Sequence, residues 1–60
     1  MEKCVIVINN NGELVWNSDQ LEGEALDQAL SDARQKYQGL DVHIGYVGEA
    51  KLLSEAKSSV

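Results

Sequence analysis

The sequence predicts one small α+β domain of β-β-α-β order, with a three-stranded sheet in order 2-1-3 and one helix on one face. Three observations lead there. Residues 4–8, Cys-Val-Ile-Val-Ile, form an unbroken apolar and mostly β-branched run, as expected of a strand buried on both faces. Asn11-Gly12 separates that run from Leu14-Val15-Trp16, a strong short-range hairpin signal. Residues 19–38 carry helical periodicity and are followed by an alternating segment, 40–47. A strand buried on both faces belongs in the centre, so the second and third strands become edges, and the helix crosses over the first strand. The crossover is expected to be right-handed.

The elements follow in order. A two-residue turn at Asn11-Gly12 sets Asn10 opposite Glu13, Ile8 opposite Val15 and Val7 opposite Trp16. Val5, Val7, Leu14 and Trp16 then share one sheet face, and Cys4, Ile6, Ile8 and Val15 share the other. A slip of one residue exchanges the two sets. The helix is expected to begin with Asp19 as its cap and Glu22 completing a box. Its apolar stripe is Leu21, Ala25, Leu26, Ala29, Leu30, Ala33 and Tyr37, and Gly39 supplies a left-handed stop. In the third strand Leu40, Val42, Ile44 and Tyr46 point to a buried face, with Asp41, His43, Gly45 and Val47 on the other. Residues 49–60 are expected to be a short second helix (49–58, with Leu52, Leu53 and Ala56 apolar) or a frayed tail, with fraying at Ser58-Ser59-Val60. One helix covers one face, so the second sheet face needs cover from the C-terminal segment, a second copy or another protein.

Size and charge narrow the function. Sixty residues make a single domain with little room for a deep cleft. Ten acids against five bases argue against direct nucleic-acid binding, which needs clustered Lys and Arg. One cysteine excludes an intramolecular disulfide, and no apolar run is long enough to span a membrane. Met1-Glu2-Lys3 leads straight into a strand rather than into a signal-peptide layout, so a cytoplasmic location is expected.

Catalysis finds little material. Cys4 and His43 are the one nucleophile–base combination, and a lone cysteine opening a buried strand behaves as a small hydrophobe. Asp41 and His43 lie two apart on one strand face, yet no further ligands stand beside them for a metal. No enzyme activity, cofactor or metal is expected. The charge pattern says more. No Lys or Arg occurs between Lys3 and Arg34, a stretch holding six of the ten acids. Acids early and bases late in a helix also suit its macrodipole. Glu24, Asp27 and Asp32 nonetheless make an acidic outer face able to meet a basic partner. Trp16, near the end of an edge strand, is an interface anchor or a core residue. Asp41 and His43 lie on the outer part of the other edge strand. These six residues are the candidate partner-binding set.

Small size, acidity and lack of catalytic residues are similar in type to the accessory proteins of phages and mobile elements, antitoxins and inhibitors among them. No motif carries that likeness, so no residue role comes with it. The expected function is a non-enzymatic module that docks on and occludes another protein with a basic surface. The alternative is a homodimeric structural or scaffold protein whose second sheet faces pack together.

Overall fold

The structure, a computed structural model, describes residues 2–58, with side chains described through residue 55. Five elements follow one another: β1 (Lys3–Ile8), β2 (Leu14–Asn17), α1 (Gly23–Lys36), β3 (Asp41–Tyr46) and α2 (Val47–Ser58). The sheet order is β2-β1-β3, and β1 is antiparallel to both neighbours. The α+β class and the strand order thus agree with the sequence. β1 is central because Cys4, Val5, Ile6 and Val7 are all fully buried. Alternation sends Val5 and Val7 to one helix and Cys4 and Ile6 to the other.

The hairpin departs from expectation by one residue. Asn9 N–H donates to the Glu13 carbonyl and Gly12 N–H to the Asn9 carbonyl, both at 3.0 Å. The loop is therefore Asn10-Asn11-Gly12. A type I′ turn needs positive φ at both central residues, and Gly12, at φ 78°, is the one loop residue that has it. Asn9 explains the choice. Its side-chain carbonyl accepts from the N–H groups of Asn11 and Glu13, each at 2.9 Å, a local network typical of Asx turns. Ile8 consequently faces Leu14 rather than Val15. A bulge then absorbs the extra residue, and Val7 still faces Trp16. Leu14 changes face, joining Cys4 and Ile6 in the core, while Val15 is left exposed.

The first helix starts later than expected, at Gly23 instead of residue 19. The residues after β2 keep following β1. Ser18 N–H donates to the Val5 carbonyl and Leu21 N–H to the Lys3 carbonyl, each at 3.0 Å. The buried Ser18 hydroxyl accepts from Val5 N–H at 2.9 Å and donates to the Asp19 carbonyl at 2.9 Å. These ladder bonds hold the chain extended where the capping pattern suggested a helix. Asp19 is not the cap. Glu22 occupies that position with no side-chain cap bond, and Gly23 turns the chain at φ 62°. Ala25 is exposed rather than part of the apolar stripe. At the other end Gly39 has φ 86°, in a turn closed by Leu40 N–H to the Tyr37 carbonyl at 3.2 Å. That is the position type II turns reserve for glycine.

Two small cores result. Val5, Val7, Leu26 and Ala33 pack with Leu21, Ala29, Leu30, Tyr37, Leu40 and Val42 under α1. Cys4, Ile6, Leu14 and Ala50 pack with Ile8, Val47 and Leu53 under α2. The C-terminal helix, two residues longer at its start than expected, is therefore the cover for the second face. The scaffold alternative, with those faces packed together between two copies, would have to displace it. Ile44 and Tyr46, expected in the buried face of β3, are 36% and 54% exposed. Val42, on the same strand and face, packs under α1, so the cover that α1 gives ends part-way along β3, between Val42 and Ile44. Leu52 is exposed on α2. The expectations for the side chain of Ala56 and for Ser59 and Val60 lie outside the described residues.

Candidate functional site

A concavity lies between β2 and the C-terminal half of α1. Register opposite Val7 puts Trp16 on the α1 side of the sheet. Tyr37 closes the helix, its N–H bonded to the Ala33 carbonyl at 2.8 Å. The two rings stack with centroids 5.9 Å apart and planes inclined by 26°, within the range of favourable aromatic pairs. Lys36 Nζ stands 5.5 Å from the Tyr37 centroid, close enough for cation–π attraction. Ala29 and Ala33 leave space between these rings and the helix, and Asp32 stands at the wall. The resulting groove has a volume of about 260 Å³. Small-molecule pockets run ~300–1,000 Å³, so this one falls below that range.

Asp32 and Lys36 bring one acid and one base to that groove. Glu24, Asp27 and Asp32 are all exposed on α1. Asp32 also accepts from Gln28 Nε2 at 3.0 Å, one helical turn earlier. Trp16 is 37% exposed, which makes it neither the buried core residue nor the free anchor of the two simple readings. One part of its surface packs on Tyr37 and another faces solvent. Trp16 and Asp32 are thus brought into one groove, with Glu24 and Asp27 on the same helix.

Asp41 and His43 are not part of that surface. Their register opposite Ile8 and Ile6 puts them on the α2 side of the sheet. His43 Nδ1 is 3.6 Å from Asp41 Oδ1, and Nε2 is 3.9 Å from Glu49 Oε2. Both separations exceed hydrogen-bond length, so these side chains are neighbours and not hydrogen-bonded partners. Glu49 went unrecognised in the sequence because its role depends on α2 folding back over β3. Its one legible signal is Gly45, four residues earlier. A Cβ there would lie 2.5 Å from Ile6 Cδ1 and 3.1 Å from Glu49 Oε1.

Cys4 faces Gly45 across the ladder, whereas His43 faces Ile6. Burial, and then the Glu49 charge, push the Cys4 thiol above its ordinary range. A nucleophilic cysteine needs the opposite shift. Among the described residues, no group of three His, Cys, Asp or Glu side chains is placed to hold a metal ion, and no helix is long and apolar enough to cross a membrane.

Comparison with protein-family models, curated proteins and solved structures finds no match. The chemistry of the surface alone therefore supports a functional proposal.

Proposed function

We propose that this chain is a non-enzymatic protein-binding module that docks on a basic surface of another protein and occludes it. The observation that carries the proposal is the half-exposed Trp16–Tyr37 stack, opening into a groove beside the carboxylate of Asp32. Aromatic anchors in partly desolvated pockets contribute disproportionately to binding. Glu24 and Asp27, exposed on the same helix, would steer a Lys- or Arg-rich partner toward the groove. The mechanism is steric and electrostatic. An accessory protein of inhibitor or antitoxin type, acting in the cytoplasm, fits this description.

The test starts from a partner recovered from host lysate, then purified and measured kinetically at two salt concentrations. Glu24→Lys with Asp27→Lys should lower the association rate and flatten its salt dependence. Trp16→Ala should chiefly raise the dissociation rate, by ten-fold or more if it is a hot spot worth over ~1.4 kcal/mol. Unchanged kinetics in both variants would reduce the acidic face to ordinary solvated surface and remove the proposal.

A further inference from the structure

Asp41 and His43 lie outside the Trp16 groove, on the edge strand β3, and the two sheet edges are built differently. β2 has four residues, carries the bulge at Val15, and continues into Ser18, whose hydroxyl replaces a main-chain group in the ladder. Short, bulged edges resist strand addition. β3 has six residues in unbroken register with β1, and it contains no proline and no lysine.

The direction of its main-chain groups follows from one bond. Val47 N–H donates to the Glu2 carbonyl at 3.1 Å. Antiparallel ladders alternate, so Asp41, His43 and Gly45 also bond toward β1. Val42, Ile44 and Tyr46 therefore aim their N–H and C=O groups outward from the sheet. The two sides of this open edge differ in chemistry. On the α1 side Ile44 and Tyr46 are exposed, and with Lys3 and Gly45 they line a depression of about 160 Å³. Lys3 puts positive charge there. On the α2 side Asp41 and Glu49 expose 69% and 49% of their side chains, with His43 between them. Among the described residues neither carboxylate pairs with a lysine or arginine, and His43 balances them only when protonated.

We infer that the β3 edge takes an extended segment of another protein in which basic and apolar residues alternate. The segment adds as a fourth strand, bonded through the outward groups of Val42, Ile44 and Tyr46. Its basic residues fall opposite Asp41, His43 and Gly45. The one opposite Gly45 comes beside Glu49, whose Oε1 would lie 3.1 Å from a Cβ at that glycine. Its apolar residues fall opposite Val42, Ile44 and Tyr46, on the side where Lys3 repels a base. Charge selects this occupant over a second copy of the chain. Pairing two β3 edges would gather two carboxylates from each copy, in chains of net charge −5.

Strand addition leaves the Trp16 groove free, since that groove opens beside β2, at the far edge of the sheet. It uses neither Trp16 nor the acids of α1, so it stands on observations separate from those behind the docking proposal.

The experiment is an NMR titration of the isotope-labelled chain with a synthetic, end-blocked peptide, Lys-Val-Lys-Val-Lys-Val, from about 10 μM to about 5 mM. Shifts should centre on residues 41–46 and Glu49, and amide exchange of Val42, Ile44 and Tyr46 should slow. The rearranged peptide Lys-Lys-Lys-Val-Val-Val, of equal charge, should bind about five-fold more weakly or worse, because it cannot present both rows at once. Asp41→Asn with Glu49→Gln should weaken the alternating peptide about three-fold or more. Both side chains are exposed, so far-UV circular dichroism should stay unchanged. Trp16→Ala should bind the peptide as the wild type does. No binding across that range overturns the inference. So do equal affinity for the two peptides, shifts confined to α1, or undiminished binding by the double variant. Protection of the three outward amides that grows with protein concentration and needs no peptide overturns it in favour of a second copy.

Discussion

Replacing Gly45 by alanine should destabilise the protein even though alanine adds a single methyl group. The position is not one of positive φ, so the backbone accepts alanine, and reduced freedom of the unfolded chain favours the variant by about 0.4–1 kcal/mol. Packing opposes it. The new Cβ would lie 2.5 Å from Ile6 Cδ1, where carbon atoms prefer roughly 3.5–4.0 Å. Ile6 is fully buried among Cys4, Leu14 and Ala50, so it has nowhere to retreat. Overpacking costs about 1–3 kcal/mol; with Ile6 unable to retreat, about 2–2.5 kcal/mol of it set against the gain of about 0.4–1 kcal/mol leaves a net loss of about 1–2 kcal/mol. A chain this short has an unfolding entropy near 0.13 kcal/mol/K, so the midpoint should fall by about 8–15 °C. Thermal and urea unfolding at fixed protein concentration would measure it. Ile6→Val, which removes the Cδ1 atom, should rescue part of the loss. The double variant should be more stable than the sum of single effects by at least ~0.5 kcal/mol. A Gly45→Ala protein as stable as the wild type, or an additive double variant, would refute this account of why glycine is there.

Three further outcomes are expected. Ser18→Ala strands the buried Val5 N–H that now donates to the hydroxyl at 2.9 Å, so urea unfolding should show a loss of about 1–3 kcal/mol. Gly12→Ala meets no atom within 4 Å but must adopt φ 78°; its cost of about 1–2 kcal/mol is purely conformational, and Gly12→Asn should recover part of it. Cys4 prefers its protonated form more in the folded chain than in the unfolded one, because burial and then Glu49 raise its pKa. That contribution is fully present below the unfolded thiol value of about 8.5 and fades as pH rises through the folded value. Iodoacetamide should accordingly modify native Cys4 far more slowly than urea-unfolded Cys4 at pH 8, and similar rates in both would contradict the burial.

Two local patterns in the chain give way to competing hydrogen bonds. Asn11-Gly12 is a strong local signal for a two-residue turn, yet the Asn9 side chain stabilises a three-residue loop. The bulge that follows restores Val7 to Trp16 but sends Leu14 to the other core. Asp19 and Glu22 satisfy the capping pattern, yet bonds from Ser18 and Leu21 to a strand thirteen or more residues earlier keep that segment extended. In each case a competing hydrogen bond of similar strength changed the outcome, and such competition is invisible to a local pattern. Among the candidate binding residues, helical periodicity correctly made Glu24, Asp27 and Asp32 solvent-facing. Sequence position could not separate them from Asp41 and His43, which lie across the sheet.

What the sequence determined alone is whatever depends on periodicity and polarity: the order of elements, the central place of β1, the strand order and the exposed acidic side of α1. Those features rest on the hydrophobic effect, which reads composition along the chain and tolerates small shifts of register. Tertiary structure decided everything that depends on which atoms meet. The Trp16–Tyr37 stack, the Glu49 carboxylate over Gly45 and the closure of the second core by α2 all join segments far apart in sequence. Those contacts arise from close packing and hydrogen bonding, which are short-ranged, so their partners are chosen only once the chain has folded.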